Sequence, residues 1–284
     1  MNATKIIVAG LVALSSTIVG RAVTGANGDL ILGFSASSGT GAATNLEVDL
    51  GNVVNFFQAD QGGTLAPGQV VDLSSMLSLT DLTNTYGSWQ TDSALTWGVV
   101  GNSLKNPSSS VFGSKTFKST IWATEATSAP GASTPWLNGS TSSQNPGVGA
   151  IQTVALNIGN GTAAGTPQSV FLASSDPTSW ATNAGIGTGT QFLVFPEGSG
   201  SVVGATSSGV SYLDLYQVAP TSASGAVTGV SLLGTFALFG DGSAQYLTFT
   251  AATPIPEPST YAAILGAAAL GFVMLRRRRL AGIA

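Results

Sequence analysis

The chain has 284 residues, 43% hydrophobic and only 8% charged, with 37 glycines, 12 prolines and a formal net charge of −4. It contains no cysteine and no histidine, which excludes disulfides, Ser-His-Asp and Cys-His catalysis, and His-ligated zinc, copper or non-haem iron. Between Asn27 and Glu257 three lysines (Lys105, Lys115, Lys118) stand against all thirteen acidic residues, a net −10, so nucleic acid and anionic lipid are disfavoured partners for that stretch.

At the N-terminus Lys5 precedes an apolar run from Ile6 to Val19, followed by small residues. This is the charge, core and cleavage-region order of a secretory signal peptide. Arg21 interrupts the cleavage region, so the cut is expected after Ala22 or Ala26, with Ala26 preferred and the leader assigned to residues 1–26. The body of the chain, residues 27–252, is long enough to hold one large β domain by its core and hydrogen bonds alone.

Leu30 to Phe34 is an apolar run after the turn Asn27-Gly28-Asp29 and reads as a strand. Leu46 to Leu50 alternates, with Glu47 and Asp49 on the face opposite the leucines and valine. That acidic face reads as solvated in preference to calcium-binding, so no metal ligands are assigned. Val53 to Phe57 continues the apolar content. From Ser74 to Leu82 the apolar spacing turns helical, with Asp72 as N-cap and Asn84 near the end. Ala94 to Val100 and Phe117 to Thr124 resume strand character. Residues 125–147, rich in Ser, Thr, Pro, Gly and Asn, read as a long surface loop containing Trp136. Val148, Ile151, Val154, Ala155 and Ile158 share one helix face, stopped by Gly159-Asn160-Gly161.

Short strands are expected at Val170 to Ala173, Gln191 to Phe195 and Ser211 to Val218, with Trp180 in a Gly/Thr-rich loop between the first two. Val230 to Phe239 and Ala244 to Thr250 read as a hairpin joined through Gly240-Asp241-Gly242-Ser243. These elements predict a mainly β fold: a single antiparallel β-sandwich, jelly-roll-like, with two short helices, an N-terminal signal helix and a C-terminal transmembrane helix.

Residues 253–284 form the most specific stretch. Fifteen uncharged residues from Tyr261 to Leu275 make a helix of roughly 22 Å, short of a ~30 Å hydrocarbon core. Tyr261 at one interface and snorkelling arginines at the other supply the remainder, so a transmembrane helix is assigned to residues 260–275. Arg276, Arg277, Arg278 and Arg279 cannot be buried together and mark the cytoplasmic side. Pro254, Pro256 and Pro258 hold the preceding spacer extended and present Glu257 on a stiff, accessible strand.

The order Pro256-Glu257-Pro258, apolar helix, terminal arginines resembles the PEP-CTERM sorting signal and covers about a tenth of the chain. The resemblance implies recognition by a membrane-embedded exosortase, in Gram-negative bacteria that secrete exopolysaccharide. Gly28 to Phe34, Leu95 to Gly101 and Leu213 to Tyr216 resemble segments of one group of PEP-CTERM proteins with a β-rich exported domain. That likeness carries fold information and no active site.

The expected function is therefore a non-catalytic surface or matrix protein, held in the inner membrane by its C-terminal helix before processing and then displayed on the cell or released into exopolysaccharide. A first alternative is a carbohydrate-binding module stacking sugar on the loop tryptophans Trp89, Trp136 and Trp180. A second is a carboxylate-based glycoside hydrolase drawing on Asp29, Glu47, Asp49, Glu125 or Glu197, although no spacing marks a pair. No catalytic residue, cofactor or metal is assigned. Asn138-Gly139-Ser140 and Asn160-Gly161-Thr162 match the N-glycosylation acceptor, and the dense Ser/Thr stretches are open to O-linked sugar.

Overall fold

A computed structural model describes residues 23–105, 108–183, 209–240 and 244–253, with the backbone of 12–13 and 201–202. The chain divides into two compact units, Met1–Ala252 and Thr253–Ala284, and all the described strands and helices belong to the first. In order they are β1 (Val12–Ala13), β2 (Asp29–Ala36), β3 (Thr44–Asn52), β4 (Val70–Asp72), α1 (Leu79–Tyr86), β5 (Leu95–Asn102), β6 (Ser110–Phe112), β7 (Lys115–Phe117), β8 (Ile121–Thr127), α2 (Thr141–Asn157), β9 (Thr162–Ala163), β10 (Ser169–Ala173), α3 (Trp180–Asn183), β11 (Ser201–Val202), β12 (Val210–Ala219), β13 (Gly229–Phe239) and β14 (Leu247–Ala251).

The fold is mainly β with few helices, and twelve of the strands share one sheet in the order β1-β4-β14-β13-β12-β8-β5-β2-β3-β10-β9, with β11 beside β5. Pairing is antiparallel except at β1–β4. Two separate stacked sheets were the expectation; one hydrogen-bonded path is found, because β8 serves two neighbours. β8 pairs with β12 from Ile121 to Thr127 but with β5 only from Ile121 to Ala123. Where it leaves β5, the Thr124 hydroxyl accepts the Val99 N–H at 2.9 Å and donates to the Val99 carbonyl at 3.3 Å. A side chain thus completes the ladder at the corner, the place where strands pass between layers.

The sheet curls about its inner core. Phe56, in the 3₁₀ turn Val53–Phe56 directly after β3, packs edge-on against Phe249 of β14 with ring centroids 5.1 Å apart. β14 lies six strands from β3, roughly 29 Å away if the sheet were flat at ~4.8 Å per strand. Phe236 joins this pair, and Phe57, Phe112, Phe117 and Trp122 form a second aromatic group in the same core. Leu30, Leu32 and Phe34 of β2 point inward while Ile31 belongs to a second core on the outer face. There α2 lays Val148, Ile151, Val154 and Ala155 against Ile31, Val100, Ile121 and Val218.

Local chemistry explains where elements moved. The helix expected over 74–82 is split: Asp72 accepts the Ser74 N–H at 2.9 Å and starts only the 3₁₀ turn Ser74–Met76. The Ser78 hydroxyl then accepts the Asp81 N–H at 3.1 Å and starts α1 at Leu79. The long loop expected over 125–147 is shortened at both ends. β8 runs to Thr127, and α2 begins at Thr141, capped by Ser140 accepting the Ser143 N–H at 3.2 Å, with Pro146 inside it. The strand expected from Phe117 is broken at Ser119, whose φ of 50° separates the β6–β7 hairpin from β8. The strand expected over 191–195 lies outside the described residues.

Candidate functional site

The three tryptophans expected as sugar platforms are interior residues. Trp89, Trp136 and Trp180 are 2%, 5% and 0% exposed, so none offers the open ring face that stacking requires. Trp89 belongs to the inner core, and Trp136 and Trp180 to the outer one. Trp180 lies flat on Gly33, where a Cβ would come within 1.9 Å of its ring. Glycine there makes room for the indole.

Trp180 also corrects the reading of β3. Leu46, Val48 and Leu50 do face the inner core, but the opposite side is covered in place of being solvated. Glu47 is 0% exposed. It pairs with Gly33 on one side and Val170 on the other, and one carboxyl oxygen accepts the Trp180 N–H at 2.6 Å. Asn45, two residues earlier on the same face, accepts the Ala181 N–H at 3.1 Å. Two β3 side chains thus tie down the short α3 turn. Burial pushes the Glu47 carboxyl up to about 8, opposed by the Trp180 hydrogen bond and helped by the charge of Asp176. At neutral pH Glu47 is therefore mainly a neutral acid.

Asp49 is less covered and sits within electrostatic reach of Asp29 on β2. Burial first, and the charge of Asp29 second, raise Asp49 to about 6. Asp29 is raised by burial, against hydrogen bonds from Ala26 and Asn52. Each carboxylate restrains local backbone: Ala26 N–H donates to Asp29 at 2.6 Å and Gly51 N–H to Asp49 at 2.8 Å. Of the five carboxylates considered for glycoside hydrolysis, the structure brings together Asp29 and Asp49, with Glu47 on the same face of β3. Glu125 stands elsewhere, opposite Asp214 in the β8–β12 ladder, and Glu197 lies outside the described residues. Among the described residues no group of three or more acidic side chains is arranged to hold a metal.

One polar centre has no counterpart among the expectations from sequence. Asp214, buried in the middle of β12, accepts from the Gly131 N–H (2.8 Å), the Ser133 N–H (3.0 Å), the Ser133 hydroxyl (2.7 Å) and the Thr235 hydroxyl (2.6 Å). It clamps the loop after β8 onto the sheet. The only signal for it was a carboxylate between two leucines in an apolar strand.

A shallow cleft of about 720 Å³ opens where the β2–β3 loop meets the end of α1 and β10, lined by Gly39, Gly41, Thr44, Asn84, Thr85, Thr162 and the partly exposed ring of Phe171. Its lining has one aromatic face, an amide and three hydroxyls, and no charge.

The sorting residues Pro256, Glu257, Pro258 and Arg276 to Arg279 lie outside the described residues. Residues 254–279 match the model of the PEP-CTERM protein-sorting motif. The chain carries a PEP-CTERM sorting signal. The signal marks an exported protein that passes the membrane, is processed at its C-terminus and is recognised by an exosortase-type enzyme. No curated protein and no solved structure matches the chain. Among the described residues no helix is long and apolar enough to cross a membrane.

Proposed function

We propose that the protein is a non-catalytic structural component of the cell surface or extracellular matrix, delivered there through its PEP-CTERM signal and associated with exopolysaccharide. The observation that carries this reading is the motif at 254–279, with Pro256-Glu257-Pro258, an uncharged stretch and Arg276 to Arg279 in that order. In this reading the leader over 1–26 is removed on export. The helix over 260–275 then holds the chain in the inner membrane until exosortase acts near Glu257. The non-catalytic part is supported by what the buried acids do: both oxygens of Asp214 and one of Glu47 accept from backbone or hydroxyl donors that fix loops. Replacing Pro256, Glu257 and Pro258 together by alanine is expected to strand the protein in the inner-membrane fraction. Unchanged surface delivery would contradict the proposal.

A second reading, carbohydrate binding, is favoured by the Phe171 cleft and no longer by the tryptophans. A partly exposed ring beside hydroxyls and an amide suits a neutral sugar. Phe171→Ala, which also loses packing against the inner core, is then expected to lower the melting temperature but still fold, and to abolish retention on the producer's polysaccharide at temperatures where it remains folded. Equal retention of both proteins, or none by the wild type, would remove this reading.

A further inference from the structure

The ends of β2, β3 and β5 meet on the outer face, where Asp29 accepts from the Ala26 N–H and the Asn52 side chain and Asp49 from the Gly51 N–H, with no positive charge beside them among the described residues. Asp29 and Asp49 lie there where the β2–β3 ladder slips its register, from Asp29↔Asn52 to Ile31↔Asp49. No lysine hydrogen-bonds or ion-pairs with either carboxylate among the described residues. Their mutual repulsion is part of what holds Asp49 near 6.

Two buried amides supply the second observation. Asn102 is 1% exposed and its Oδ1 has no donor; the Oδ1 of Asn27 is buried and equally without one. Asn102 follows Val100 by two residues on β5, so both project to the outer face, and its carbonyl takes the Gly28 N–H at 3.0 Å, next to Asp29. The nitrogen ends of both amides are committed: Asn102 Nδ2 donates to the Ser103 carbonyl at 2.8 Å and Asn27 Nδ2 to the Ser110 hydroxyl at 2.8 Å. The oxygen ends remain uncommitted, on residues the backbone places next to Asp29: Asn102 through its bond to Gly28, and Asn27 two positions earlier in the chain. Buried acceptors without donors are costly, and so are neighbouring carboxylates without a counter-charge.

We propose that Asp29, Asp49, Asn102 and Asn27 form a binding site for a calcium-sized divalent cation in the exported protein. An all-oxygen set of two carboxylates and two amide oxygens, completed by water, suits calcium, which accepts irregular coordination by six to eight oxygens. Magnesium demands a smaller and nearly ideal octahedron, so it fits these uneven loop ends poorly. Only two formal charges make the site weak, with a Kd of roughly 10⁻⁴–10⁻³ M, the range of extracellular calcium modules. The site joins the start of the domain to β3 and β5, so an occupied site would fasten the N-terminal edge after leader removal. This inference is independent of the sorting signal.

The full chain, purified in detergent and stripped with a chelator, tests it by calcium titration followed calorimetrically and by thermal unfolding. Saturable binding and a rise in melting temperature are expected with calcium, and much less with equal magnesium. Asp49→Asn keeps the acceptor for Gly51 and relieves the repulsion, so it is expected to fold at least as well as the wild type and to bind calcium at least tenfold more weakly. Asn102→Asp adds a charged ligand but gives up the Nδ2 donor to the Ser103 carbonyl, so it is expected to melt lower than the wild type without calcium and to gain more from added calcium. The proposal is overturned if folded wild type shows no calcium-dependent shift up to about 10 mM, well above the expected range, or if the shift is the same in both variants.

Discussion

The two faces of the sheet are built on different principles. The inner face is closed by aromatic and aliphatic contact, with Phe56, Phe236 and Phe249 joining strands that are distant in the sheet order. The outer face is half apolar, beneath α2, and half polar, where Glu47 and Asn45 hold α3 and Asp214 holds the loop at 131–133. Burial inside is non-directional and tolerates small shifts; burial outside depends on specific donors reaching specific oxygens. The outer cover is consequently the part of the domain that pH and single polar substitutions should loosen first.

The largest effect should come from the inner face. Phe236→Ala deletes a ring shared by two aromatic partners and is expected to cost about 3–5 kcal/mol in chemical unfolding. A loss below 1 kcal/mol would mean that the inner core is not what closes the sheet. On the outer face, Asp214→Ala leaves the donors of Gly131, Ser133 and Thr235 without their acceptor and is expected to cost about 2–3 kcal/mol. Protease susceptibility around residues 128–135 should rise with it; global unfolding without local cleavage would show that the loop and sheet are one unit.

A smaller and pH-dependent effect belongs to Glu47. Its folded value, about 8, lies above its ordinary 4.5, so the folded state keeps a proton that the unfolded state has released. Stability from this group is full below about pH 4.5 and declines as pH rises toward 8, by at most about 1.4 kcal/mol per pH unit. Asp49, raised to about 6, adds a loss of the same sign at lower pH. Urea unfolding between pH 6.5 and 8.5 therefore isolates Glu47. Glu47→Gln is expected to flatten that slope and to be the more stable protein at pH 8. A wild-type slope that persists in Glu47→Gln would place the titrating group elsewhere.

The same contrast governs what could be read from the sequence. The inner face was legible because alternation is a local signal: Leu46, Val48 and Leu50 and the run at 230–239 fall as expected, and the partner expected over 244–250 is found as Leu247–Ala251, three residues later at its start. The outer face was not. A strand that alternates leucine with Glu47 and Asp49 looks solvated unless it is known that α3, more than 120 residues later, folds over it. Trp180 looked exposed because its neighbours are Ser, Thr and Gly, yet Gly33 is what receives it. The Ser/Thr/Asn run before Val148 hid the start of α2, whose Ser140 cap is plain only once Ser143 is seen to donate to it. The sorting signal is the opposite case: the order of its residues along the chain is enough to match the motif at 254–279.

The intact mass of the mature protein tests the central claim most directly. Export followed by processing at the PEP-CTERM signal predicts a species lighter than the 28.3 kDa chain, lacking the leader at one end and Arg276 to Arg279 at the other. Recovery of the whole 28.3 kDa polypeptide, uncut and soluble in the cytosol, would contradict the account.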